Sequence, residues 1–251
     1  MKKKIFILLL ALYSIVPTIK AQSIWTSAEF RMKLVTNLNA FVEAEYRTHD
    51  KLTDTERISG TLGLDYKICN NLKATAGYTY IHQRTIDEIT KKGNVIPAYW
   101  QPKHRASFAL TGNLKLGRFT LSLRERYQYT YRTSQWVPKF ESDGVTPKGN
   151  EWVDAKGKHV LRSRLEVEYN IAKCKFTPYA SCEMYNSFND NFGIEKVRYT
   201  IGTSYKINKK NSISLYYRYI ANGDDDEEGG HIIGIGYYNP QNEALQFIKT
   251  N

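Results

Sequence analysis

The sequence predicts an all-β fold: a single closed antiparallel transmembrane β-barrel of 10–12 strands, with short periplasmic turns and long extracellular loops. Three observations predict it. Apolar and polar residues alternate with period two in segment after segment between Trp25 and Tyr238. The connections between those segments are short and long by turns. The chain opens on a basic, then apolar, then small-residue stretch of the kind that directs export.

That first stretch, MKKKIFILLLALYSIVPTIKA, carries Lys2, Lys3 and Lys4, an apolar run from Ile5 to Val16, and Ala21 before the expected cut. The run is too short for a membrane helix, which needs roughly 20 apolar residues. Residues 1–21 therefore read as a cleaved signal and 22–251 as the barrel. Losing Lys2, Lys3, Lys4 and Lys20 lowers the formal charge from +11 to +7. No basic cluster is interleaved with stacking aromatics, so nucleic acid is excluded as a partner. Anionic lipid head groups at a barrel rim match the excess better.

Strands are expected at 24–35, 39–49, 57–68, 72–83, 103–114, 118–132, 159–171, 175–186, 196–207, 211–221 and 231–239. Successive strand side chains face opposite sides, so each segment has two faces. On 57–68, Ile58, Leu62, Leu64 and Tyr66 oppose Ser59, Thr61, Asp65 and Lys67. On 118–132, Leu121, Leu123, Tyr127 and Tyr129 oppose Ser122, Arg124, Arg126 and Gln128. On 159–171, Leu161, Leu165, Val167 and Tyr169 oppose Arg162, Arg164, Glu166 and Glu168. A soluble sandwich turns the apolar face into a core, whereas a membrane barrel turns it to lipid.

Loop lengths choose between the two. TNLN, CNN, KLG, AKCK and NKK are tight, while 50–56, 84–102, 133–158, 187–195 and 222–230 are long. Outer-membrane barrels keep short turns on the periplasmic side and longer loops outside. Tyrosines on the apolar phase near strand ends fit an aromatic girdle at the lipid interface. No segment after the signal reaches 18 consecutive apolar residues, which excludes helical spans. Two features resist. Glu125 and Ser163 fall on the lipid phase, which a bulge turning Glu125 inward would relieve. Eleven strands also depart from the even number usual in single-chain bacterial barrels, so 24–35 is an extra strand or 243–249 a twelfth. Cys69, Cys174 and Cys182 are an odd set with no expected disulfide framework.

The inward phase is crowded with charge: Glu43, Glu45 and Arg47, then Arg124 and Arg126, then Arg162, Arg164, Glu166 and Glu168, then Glu183, Arg198 and Arg218. Neighbouring strands are expected to set Arg beside Glu. A barrel of about eight strands is filled by side chains and open channels appear at about 16. Between those sizes, paired Arg and Glu would fill much of the lumen; the alternative is a narrow charge-lined pore or a binding cavity. His49, His82, His104, His159 and His231 all fall near the outer rim, as candidate general bases or metal ligands. His49 reads inward, while His82 and His104 read with the lipid-facing set. No HExxH or GxSxG spacing occurs, so no catalytic, cofactor-binding or metal residue is assigned. The acidic run in GDDDEEGG reads as a solvated external loop. Gly234 and Gly236 alternate on one strand and read as close-packing positions.

The segments FVEAEYRTHD, PAYWQPKHR, GRFTLSLRERYQYTYR, VLRSRLEVEYNI, FTPYASCEMYN, YTIGTSYKINKKNSISLYYRYI and HIIGIGYYNP together resemble an uncharacterised family of small Gram-negative outer-membrane β-barrels, known only as a domain of unknown function. The likeness covers nearly the whole chain after the signal. It implies the cell outer membrane, its lipid and lipopolysaccharide, and the barrel-assembly machinery as surroundings. It brings no activity, substrate or catalytic residue. The C-terminus departs from the pattern, because NPQNEALQFIKTN follows where an aromatic end is usual. Two functions stay open. One is a non-enzymatic barrel, either a narrow or plugged passage for small polar solutes or a structural surface adaptor. The other is a surface hydrolase acting on lipid or peptide through rim residues such as His49.

Overall fold

The structure, a computed structural model, describes residues 23–49, 54–208, 210–224, 227 and 229–239. The expected signal, the segment 243–249, and Asp225, Asp226 and Glu228 lie outside them. Eleven strands form the wall: β1 (Ser23–Val35), β2 (Leu38–His49), β3 (Asp54–Cys69), β4 (Leu72–Arg84), β7 (Trp100–Leu116), β8 (Phe119–Arg132), β11 (Lys156–Tyr169), β12 (Phe176–Ser187), β13 (Gly193–Lys206), β14 (Ser212–Ala221) and β15 (Gly230–Asn239). Four short strands, β5 (Glu88–Ile89), β6 (Val95–Ile96), β9 (Gln135–Phe140) and β10 (Pro147–Val153), lie in the two longest loops. Each wall strand falls within a few residues of an alternating segment in the sequence, and the segment 24–35 is the eleventh strand.

The wall closes in the order β1-β15-β14-β13-β12-β11-β8-β7-β4-β3-β2. It is not purely antiparallel, which corrects the sequence expectation. Every pair of sequence neighbours in the wall is an antiparallel hairpin, and with an odd count the first and last strands point the same way. Closure is therefore a parallel seam, β1 against β15, from Ser23↔Ile232 to Phe30↔Asn239. Parallel pairing is slightly weaker per residue than antiparallel pairing, so side chains inside the seam matter. Trp25, Ile220 and Ile232 form a small buried apolar cluster there.

Apolar side chains of the outward phase are exposed to the surroundings, not packed. Val42, Leu62, Phe108, Leu123, Leu165 and Ile201, from six strands, are each 51–61% exposed. A continuous apolar belt of this kind needs an apolar solvent. Buried positions instead fall on the inward phase and are largely polar, Arg57, Ser59, Asp65, Gln128 and Glu183 among them. The polar-in, apolar-out arrangement is that of an outer-membrane β-barrel.

The long loops on one end are partly structured, which alternation alone did not reveal. Strands β5, β6, β9 and β10 make a four-stranded sheet that ties the β4–β7 and β8–β11 connections together. It buries Ile96 and Val137 and leaves Trp136 and Trp152 in ring contact at 5.1 Å. On the opposite end the turns are tight, with Asn37, Gly117 and Lys173 at positive φ.

Glu125 does not turn inward on a bulge. It pairs in register with Ser163 along an uninterrupted β8/β11 ladder, and the Ser163 hydroxyl donates to its carboxylate at 2.6 Å. The two misfits on the lipid phase therefore solve one another. Inside, Gly234 leaves room for a ring: a Cβ there would lie 1.9 Å from the Tyr216 side chain.

Ser163→Ala should destabilise the barrel by about 1–3 kcal/mol, because it leaves the outward carboxylate without its donor. The double variant Glu125→Leu/Ser163→Ala should recover that loss, since removing both partners is nearly neutral. Urea unfolding in detergent measures both. A single variant as stable as the parent would show that the hydrogen bond contributes nothing.

Candidate functional site: a charged layer beneath an outer vestibule

Two carboxylates organise the upper lumen. Glu183, on β12, takes Arg124 from β8 at 2.5 Å and Arg162 from β11 at 3.0 Å, with Arg198 of β13 at 3.6 Å. Tyr185 also donates to it, at 3.1 Å. Glu227 comes from the β14–β15 loop and is buried in the lumen mouth. It ion-pairs with Arg47 of β2 and Arg198, and with Lys196 at 3.1 Å. Arg198 thus joins the two centres. Asp224, from the same loop, takes Lys196 at 2.7 Å and Lys158 at 2.8 Å.

The acidic loop is therefore not simply a solvated external segment: Asp224 and Glu227 fold back and latch across the barrel. Burial would push the Glu227 carboxyl up, but Arg198, Lys196 and Arg47 more than offset it and hold it well below the ordinary carboxylate range.

Trp25 supplies the surface on which the guanidinium groups lie. Arg47 sits 3.6 Å from its ring centroid, Arg218 at 5.0 Å and Arg198 at 5.3 Å. Such contacts strengthen when desolvated. Tyr185 faces Arg162 at 4.6 Å and Arg198 at 4.7 Å. Neither Trp25 nor Glu227 stood out in the sequence as part of the network. Trp25 shares the inward phase with Glu29 and Arg31, and a large aromatic on a charged face was the available signal. For Glu227, one acid among five neighbours, the sequence held none.

The remaining inward residues are placed less simply than Arg beside Glu. Arg124 directly opposes Arg164, and Arg126 opposes Arg162. The acids come from one strand further round, where Glu183 lies in register between Arg164 and Arg198. Arg164 reaches Glu166 at 3.6 Å. Glu45 binds Arg47 at 2.9 Å, while Glu43 opposes Glu29 in register and Glu168 lies two residues beyond Glu166 on the same face. Arg218 donates to Thr200 at 3.0 Å. Lower down, a separate group joins Arg31 to Glu29 and Asp65, with Lys73 3.3 Å from Asp65.

Above the charged layer, at the long-loop end, is a vestibule of about 770 Å³ whose lining includes His49, Glu56, Gln101, Lys103, Arg132 and Glu227. His49 is inward, as its phase indicated. The other four histidines stand on the outer surface among aromatics. Three repeat one motif: His104, His159 and His231 each oppose a tyrosine in register (Tyr80, Tyr129, Tyr219). Each also lies within hydrogen-bonding reach of the tyrosine two residues earlier. The Tyr78, Tyr127 and Tyr217 hydroxyls are 2.6, 2.7 and 2.6 Å from the respective Nδ1 atoms. His82 stacks on Trp100 at 4.7 Å. Amphipathic rings with polar tips are the side chains that settle at a membrane interface.

The chain belongs to the family described as Protein of unknown function (DUF2490), whose model matches residues 22–228. No protein of curated function matches it in sequence. Among solved structures it is similar to the translocator domain of the autotransporter NalP from Neisseria meningitidis, at 12% identity and a TM-score of 0.52, covering 81% of this chain and 74% of that one. It is also similar to the beta domain of the Bordetella autotransporter BrkA, at 15% identity, a TM-score of 0.49 and 83% of both chains. For an anion-selective porin from Comamonas acidovorans the identity is 12% and the TM-score 0.35, over 84% of this chain and 55% of that one. At such identities the NalP likeness speaks for the barrel fold alone.

Arg162→Ala should weaken the barrel by about 3–5 kcal/mol, the usual cost of leaving one member of a buried pair without its partner. Lys173→Ala, in an exposed turn, should be neutral. Heat-modifiable gel mobility separates the two, and equal stability would mean that these charges are solvated. The Glu227 latch should also respond to acid. A depressed carboxyl pKa stabilises the folded state at all pH above its unfolded value, and that stability is lost as pH falls toward the folded value. Limited proteolysis of the 222–229 loop should therefore show protection at pH 5 and release only below about 4, near the ordinary glutamate value. Release already at pH 6 would contradict the ion-pair latch.

Proposed function

We propose that this family member is a non-enzymatic outer-membrane barrel whose lumen is closed by its own charges and whose outer vestibule receives small polar solutes. One observation carries this reading. Arg47, Arg57, Arg162, Glu183, Lys196, Arg198 and Glu227 all point inward, yet each is at most 9% exposed. Side chains lining a water-filled channel would be hydrated, so burial of so many charges argues against a continuous water column at their level.

The apolar belt and the Tyr–His pairs support insertion in the outer membrane with the long loops outward. Lipopolysaccharide would then surround the loop end, and the barrel-assembly machinery would insert the chain after cleavage of residues 1–21. The surface-hydrolase reading draws little from the geometry. A catalytic histidine needs a nucleophile and an orienting group within hydrogen-bond reach, and the Nδ1 atoms of His104, His159 and His231 face tyrosine hydroxyls on the lipid side.

Planar-bilayer conductance of the purified protein tests the closed lumen. The parent should show no steady single-channel current, while Glu227→Gln/Asp224→Asn, which cuts the latch without touching the wall, should raise current or current noise. A parent that conducts steadily, with unchanged current in the double variant, would replace this reading with an open pore.

A further inference from the structure

At the lower edge of the charged layer, two opposite charges face one another across the lumen without meeting. Arg126 of β8 and Glu43 of β2 are both on the inward phase. Three strands separate them on one side of the closed wall and six on the other, so they project from nearly opposite sides. Arg126 is nevertheless the foremost cation in the field at the Glu43 carboxylate.

Their neighbours are committed to other partners. Arg162 and Arg124, beside Arg126, both hold Glu183, and Arg164 reaches Glu166 at 3.6 Å. Glu29, directly opposite Glu43 in register, pairs with Arg31, and Glu45 holds Arg47. Among the described residues, Arg126 and Glu43 themselves make no hydrogen bond or ion pair. Nor are they sealed off. Both are half-buried, and the sealed, unpartnered side-chain nitrogens near them belong to other residues, Nε of Arg57, Arg124 and Arg162. The nitrogens of Arg126 and the oxygens of Glu43 are therefore open to water within the lumen.

Access is from the short-turn end, where inward side chains are freer. Lys73 and Arg164 are 34% and 29% exposed there, against 3% for Lys196 in the latch. Neither Arg126 nor Glu43 lines the outer vestibule. A charge drawn partly out of water and left unpaired is costly, and here the width of the lumen leaves two of opposite sign in that state. A ligand that brings its own pair of charges satisfies both at once.

We propose that Arg126 and Glu43 bind a small zwitterion between them, its carboxylate on the guanidinium and its ammonium on the Glu43 carboxylate. The planar fork of Arg126 matches a carboxylate in bidentate fashion, and an ammonium group is a donor only, suited to acids. A simple anion would leave Glu43 unmet, and a simple cation would leave Arg126 unmet among its fellow arginines. The site lies on the short-turn side of the charged layer and does not depend on the lumen being closed.

The test is calorimetric titration of the full chain in detergent with glycylglycine, N-acetylglycylglycine and methylamine. Glycylglycine should bind wild type, and the two probes with one charge should bind roughly ten- to hundredfold more weakly, the loss of one charge-assisted end. Arg126→Gln and Glu43→Gln should each weaken glycylglycine by a similar factor with heat-modifiable mobility unchanged. Lys173→Gln, in an exposed turn, should bind like wild type. In Glu43→Gln, acetylation of the probe should weaken binding no further, which ties the ammonium end to that carboxylate. Wild type that fails to bind glycylglycine would mean that water alone bridges the two charges, and the proposal would fall. It would fall equally if the acetylated probe bound as well as the free one, or if folded Arg126→Gln bound as tightly as the parent. The probe comparison needs no variant, so it decides the matter even where a substitution unfolds the barrel. Conductance of the same samples tests closure separately, because a conducting parent that binds glycylglycine would refute the closed lumen and leave this site standing.

Discussion

The interior depends on having two buried carboxylates where the cations outnumber them. Glu183 gathers Arg124, Arg162 and Arg198, and Glu227 gathers Arg47, Lys196 and Arg198. Without Glu183, Arg162 and Arg124 would lose their carboxylate while still facing Arg126 and Arg164 across the β8/β11 ladder. Buried charges are tolerated only when paired and hydrogen-bonded, so each carboxylate licenses several guanidinium groups at once. Arg198, shared by both, couples the wall network to the loop latch. A side-chain network linked in this way stabilises by more than its separate pairs.

The odd strand count and the latch are parts of one arrangement. Eleven strands force a parallel seam, and the seam strand β1 brings Trp25 into the lumen beside β15. The loop that delivers Glu227 joins β14 to β15, immediately next to that seam. Arg47 therefore meets an indole face and a loop carboxylate at once. A ten-stranded barrel beginning at β2 would lack Trp25, and its arginines would lose the surface they lie on. The extra strand thus supports the charged layer as well as completing the wall.

How much of this was legible in the sequence follows from the range of each interaction. Alternation is a local property, and it located all eleven wall strands, their lipid faces and the inward set from Glu43 to Arg218. Pairing partners are not local. That Arg124 faces Arg164, and meets its acid only on the next strand, depends on register around the wall. Glu125 and Ser163 are 38 residues apart, so each read as an error until the ladder set them opposite one another. The loop sheet was missed because its strands are short and lie in polar, turn-rich segments. The parallel seam followed from counting, but only once the segment 24–35 was accepted as a strand.

Adjacent residues on a strand share one height and face opposite sides, and this places the vestibule relative to the membrane. Lys103 points into the cavity while His104 points out among Tyr78 and Tyr80; Lys158 points in while His159 points out beside Tyr127 and Tyr129. If the Tyr–His pairs mark the outer interface, the vestibule cations lie at headgroup height, above the hydrocarbon. The vestibule is then entered from outside without crossing any low-dielectric depth. Arg162 and Glu183 meet below that level, each at most 9% exposed. On the proposed closed-lumen reading, the barrier to solutes therefore lies beneath that level, at the layer where Arg162 meets Glu183.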